Sequence, residues 1–153
     1  MHFQMSRATP QMRSFAERIV AYETRSNKSS KTRSLEGVPV CEKLRPHLVT
    51  LVGNNGFRAL LSRSLALASA KVPWLRAVQV KADGTLAGPE NIQAQADPKQ
   101  IHEGGVALVA QLLGLLVAFI GENLTVRLVR EVFPKVPLKG LDLGSGGKNE
   151  KTK

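Results

Sequence analysis

Three histidines and one cysteine are the side chains best suited to metal binding or nucleophilic chemistry: His2, His47, His102 and Cys41. Their spacing serves neither role. Metal sites built on short segments place ligands about three to five residues apart, so that one helix face or turn presents both. No two of these four stand so. Cys41 as a nucleophile needs a base beside it. His47 lies well round a helix from Cys41, which favours a thiol packed as a small apolar side chain. A lone cysteine forms no intrachain disulfide, which suits a reducing compartment. The P-loop, G-x-S-x-G and H-E-x-x-H patterns are absent. No catalytic, cofactor-binding or metal-binding residue is nominated, and no small-molecule substrate is identified.

Two glycine-rich segments remain. The first is Gly53-Asn54-Asn55-Gly56, which breaks one helical pattern and opens the next, with Arg58 in the new first turn. Helix N-termini combine free N–H groups with a positive dipole end, so Asn54, Asn55, Gly56 and Arg58 form a weak anion-site candidate. An inter-helix turn is the plainer reading. The second, GLDLGSGG at 140–147, superficially resembles the glycine-rich cofactor loop of S-adenosylmethionine-dependent methyltransferases. That loop belongs between a strand and a helix. Here the charged KNEKTK follows, so no cofactor is expected.

A net charge of +10 and a pI near 10.3 favour anionic partners such as nucleic acid, acidic lipid or an acidic protein. The excess is spread along the chain rather than gathered in a stripe. Aromatics make up only 5% of residues, too few for a base-stacking surface. With 42% hydrophobic residues in 153, the chain can bury a core. MHFQMSRATPQMRS has no apolar core of a secretory signal.

The elements that position these residues read as mostly helical. Thr9-Pro10 starts an amphipathic helix over 10–24, with Met12, Phe15, Ile19 and Val20 at helical spacing. TRSNKSSKTRS has no apolar residue and reads as a linker, so 1–37 is a helix plus basic linker. The spacing predicts helices over 39–52, with Pro46 kinking it or marking its start, and over 56–70, stopping before Pro73. Val78 and Val80 then alternate with polar residues, and Asp83-Gly84 suits a two-residue turn, which predicts a β-hairpin near 75–87. Trp74 is expected as an anchor under that hairpin. Asp97, Pro98 and Gln100 form a capping box for a long helix reaching Phe133, where Pro134 ends it. The Gly104-Gly105 pair is a candidate break. The core domain is thus 38–134, and 135–153 is a Gly/Lys-rich tail expected to be disordered. The fold class is mostly α, a small bundle of about four helices around one long hydrophobic C-terminal helix.

Within that helix, Gly104 to Gly121 holds no charged residue. On a wheel of about 100° per residue, Ala107, Ala110, Gln111, Gly114, Ala118 and Gly121 share one narrow face of small side chains. Such a face lets another backbone approach closely, as in helix pairs joined through small residues. The leading expectation is therefore a non-enzymatic helical protein acting through protein–protein contact, with a protein partner or itself as a homo-oligomer. The alternative is a single-pass membrane protein spanning at 104–121, an apolar length typical of such spans. Its basic C-terminal flank would face the cytoplasm, exporting the long N-terminal part without a signal. A basic nucleic-acid binder is the third reading. Cytoplasmic location is expected, with membrane insertion a close second.

Overall fold

In the computed structural model the described residues are 10–26, 38–87 and 97–136. Four helices carry them: α1 (Pro10–Ser26), α2 (Val38–Lys71), α3 (Pro98–Ile120) and α4 (Glu122–Val132). A 3-10 helix at Pro73–Ala77 and a hairpin of β1 (Gln79–Val80) and β2 (Leu86–Ala87) join α2 towards α3. The expected mostly helical bundle with a short hairpin is what the chain forms. The linker at 27–37 and most of the 135–153 tail lie outside the described residues.

Each helix follows from its apolar spacing. α1 buries Met12, Phe15, Ala16, Ile19 and Val20. α2 buries Val40, Cys41, Leu44 and Leu48 in its first part and Phe57, Leu60, Leu61, Leu65 and Ala68 in its second. Its helix runs through Pro46, but Gly53 takes φ 82 and ψ 170, so α2 is two helices meeting at a bend. Buried Ser64 donates its hydroxyl to the Leu60 carbonyl (2.8 Å), which keeps it satisfied inside the core. At the start of α3 both halves of the capping box form. Gln100 N–H donates to Asp97 Oδ1 at 2.8 Å, and Asp97 N–H to Gln100 Oε1 at 3.0 Å.

Four expectations change in detail. The helix from Pro98 stops at Gly121, where φ is 90 and ψ is 161, and α4 starts anew. This region of backbone space is open to little besides glycine. Gly104-Gly105, the expected break, lies inside continuous helix, and Trp74 occupies the space a side chain at Gly104 would need. The indole thus docks on α3 rather than under the hairpin, and its Nε1 donates to the Gln100 carbonyl at 3.2 Å. The hairpin turn has three residues, Ala82 to Gly84, since Val80 pairs with Leu86 and Lys81 N–H reaches the Thr85 carbonyl. Gly84 supplies the left-handed residue (φ 85) that this turn requires. Asp83 pins it by accepting from the Thr85 N–H (3.0 Å) and hydroxyl (2.6 Å).

α3 is the centre of the bundle, packed most extensively on α2 and then α1. Every residue from Gly104 to Gly114, and Leu116, is buried. Trp74 follows the end of α2 and sits at the first turns of α3, so the second part of α2 and α3 run in opposite senses. The chain length from Gly53 to Trp74 equals that from Gln100 to Gly121. Gly53 and Gly121 are the bends of these two packed helices. α4 folds back with Thr125, Leu128 and Val129 buried, and Phe133 closes over the core near Lys43, whose Nζ lies 6.0 Å from the ring centre. Lys43 also pairs with buried Glu23 of α1 at 2.9 Å, tying three segments together.

Candidate functional site

The small-residue face divides in two. Ala107, Ala110, Gln111 and Gly114 are packed inside the chain itself, whereas Ala118 and Gly121 are exposed. Tight packing within one chain thus accounts for the first part. Past Leu116 the last turn of α3 reaches solvent, beside the Gly121 bend.

That end carries an unusual concentration of apolar surface. Among the described residues, the large hydrophobic side chains left exposed are Leu51 (52%), Phe119 (67%) and Leu124 (47%). All three lie within three residues of a glycine bend, Leu51 before Gly53 and the other two flanking Gly121. The cause is geometric. Up to Leu116 the helix is enclosed by α1, α2 and α4 and can be apolar on every side. Past it, Ala118 and Phe119 are exposed, and at Gly121 the helix ends in a bend (φ 90, ψ 161). Ala118 and Phe119 are stranded outside, with Leu115, Val117 and Ile120 half-buried below them. The bend is anchored from within: Thr125, fully buried, donates its N–H and hydroxyl to the Gly121 carbonyl at 3.1 and 2.8 Å. An added Cβ at either Gly53 or Gly121 would meet nothing within 4 Å, so both bends are open surface.

The other nominated residues fall as follows. Asn54, Asn55 and Arg58 are exposed beyond the Gly53 bend with Gly56 half-buried between them, and Arg58 Nη1 donates to Asn55 Oδ1 at 3.2 Å. This internal bond uses part of the donor set an anion would need. Cys41 is buried, and burial pushes its thiol up to about 12, which keeps it a protonated core group. His102 lies 3.6 Å from Glu17 across the α1–α3 contact. His47 is half-buried on α2, and His2 lies outside the described residues. The 140–147 glycine segment lies outside them too.

Sequence reasoning misses Phe119 and Leu124. Within an unbroken apolar run nothing distinguishes a stranded side chain from a core one. The one available signal is Gly121 itself, which the helical wheel assigns to the small face. Comparison with known proteins adds no further constraint: no protein-family model, curated protein or solved structure matches the chain.

Proposed function

We propose that this protein acts through protein–protein contact, self-associating at the end of the bundle where α3 and α4 meet, with Phe119 as its central contact. The observation that carries this reading is that, among the described residues, the exposed large hydrophobics Leu51, Phe119 and Leu124 all stand within three residues of a glycine bend. Exposed apolar surface of this kind marks a site of association. A surface without charge at its centre can meet its own copy across a two-fold axis, because an apolar patch is complementary to itself. Aromatic side chains give such contacts much of their energy. In this reading the buried part of the small face holds α3 within its own chain, and the exposed remainder, Ala118 and Gly121, lets a partner approach. The protein is read as non-enzymatic and cytoplasmic.

Sedimentation velocity of the wild type and of Phe119→Ser tests this. The wild type should show a concentration-dependent dimer, and Phe119→Ser a monomer with an unchanged helical spectrum. A monomeric wild type, or a variant that still dimerises, contradicts the reading.

A membrane reading rests on a different observation: Lys99–Ile120 is long and apolar enough to cross a bilayer. Two thirds of that span (67%) is buried inside the protein, so insertion would require α3 to exchange its contacts with α1 and α2 for lipid. Retention in the pellet after an alkaline carbonate wash would support insertion over a cytoplasmic bundle. Nucleic-acid binding has the net charge in its favour, and a salt titration at low ionic strength, where phosphate contacts are strongest, tests it.

A further inference from the structure

The opposite end of α3 carries a separate feature. A cleft of about 340 Å³ opens where the first turns of α3 meet α1 and the segment after α2. Val72, Pro73 and Trp74 supply its apolar wall. Arg13, Lys71, Lys99 and Glu103 supply its charges. Glu103 is bonded to Arg13 at 2.6 Å, so these two offset each other. Lys71 and Lys99 are exposed and form no ion pair with any described residue. Two cations without an ion pair among the described residues thus line the cleft beside one apolar wall. Trp74 is a fixed part of that wall: its indole is tethered to the Gln100 carbonyl at 3.2 Å and lies against Gly104.

We propose that this cleft binds a small aromatic anion, a ring bearing a phosphate or carboxylate. The ring lies on Trp74 and the anionic group between Lys71 and Lys99. Each part of the cleft selects one part of the ligand. Indoles pack against flat rings through offset or edge contacts. Two ammonium groups beside an apolar surface repel each other and attract an anion from solvent. The volume lies at the low end for ligand sites, about 300–1,000 Å³, and so fits a compact molecule rather than a polymer. The cleft is independent of the contact surface around Phe119, so either can fail without the other.

Trp74 is the only tryptophan, and its emission reports this site alone. The probe is phenyl phosphate, titrated into the full chain, with inorganic phosphate and benzyl alcohol as the two partial ligands. The expected result is a saturable change in Trp74 emission with phenyl phosphate, weaker binding of both partial ligands, and an affinity about fivefold lower in Lys71→Gln/Lys99→Gln. Both lysines are exposed, so the double variant should keep the wild-type helical spectrum; if it does not, the single variants are read instead. Arg127→Gln, exposed and outside the cleft, should bind as the wild type does. No saturable change up to about 10 mM phenyl phosphate overturns the proposal, that being weaker than any specific small-molecule site of this kind. Equal affinity for inorganic phosphate, or equal losses in Arg127→Gln and the lysine variant, overturns it as well.

Discussion

Replacing Gly104 with alanine should destabilise the protein, although the same change in an ordinary helix interior stabilises by about 1 kcal/mol. The reason is the indole of Trp74. A Cβ at position 104 would stand 2.6 Å from Trp74 Cζ2, and 3.3 Å from both Trp74 Cε2 and Leu75 Cδ2. Real Cβ atoms do not approach carbon so closely, so the ring has to move. It is not free to swing, because Leu75 is fully buried beside it and Nε1 is bonded to the Gln100 carbonyl. Overpacking of this kind costs about 1–3 kcal/mol. Loss of the indole hydrogen bond adds about 1 kcal/mol. Set against the helix-propensity gain of about 1 kcal/mol, Gly104→Ala should lose about 1–3 kcal/mol. Urea unfolding followed by circular dichroism measures it. A cycle with Trp74→Phe identifies the cause, since phenylalanine has no atom where Cζ2 stands. In that background Gly104→Ala should be neutral or stabilising, a coupling of about 1 kcal/mol or more. A Gly104→Ala protein more stable than the wild type, or an effect unchanged by Trp74→Phe, would refute the placement of Trp74 on α3.

Other consequences follow from the bends, the buried thiol and the turn. Gly121→Ala and Gly53→Ala meet no neighbour within 4 Å, so their cost is backbone strain alone, about 1–3 kcal/mol each, and Trp74→Phe should not rescue either. Cys41 should resist a thiol reagent at neutral pH until the chain unfolds, and burst labelling of native protein would contradict its burial. Burial holds that thiol at about 12 against 9.0 in the open chain. Its contribution to stability is therefore complete below about pH 9 and is lost as pH rises towards 12, because the unfolded state releases its proton first. Cys41→Ala should remove this alkaline slope. The Thr85 hydrogen bonds hold the Asp83 carboxyl below its ordinary 3.8. Its contribution is present above that value and fades as pH falls; an NMR titration of Thr85→Ala should show Asp83 returning towards 3.8.

How much of this is legible in the sequence depends on whether the cause is local. Asp97, Pro98 and Gln100 state a helix start because a capping box is closed by residues three apart, and it forms as read. The bend at Gly53 is visible in GNNG, where glycine and asparagine cluster between two apolar patterns. Cys41 as an inert core thiol follows from its separation from His47. The departures share a different origin. Gly104-Gly105 looks like a break until Trp74 arrives from another segment to fill the space. Gly121 looks like a packing residue on a helical wheel, yet it takes φ 90 and ends the helix. Gly104 acts through a neighbour distant along the chain and Gly121 through its own backbone, and no local pattern separates the two. The same holds for Phe119, whose exposure nothing in its own segment announces.

The central claim is that association occurs at the stranded end of α3 and not along its buried small face. Hydrogen exchange measured at low and high protein concentration tests this residue by residue. Amides from about Val117 to Leu124 should gain protection as concentration rises, because that segment would be covered by a second copy. Those around Ala107, Ala110 and Gly114 should be unchanged, being already enclosed in the monomer. Protection that rises along 107–114 instead, or nowhere, would contradict the account.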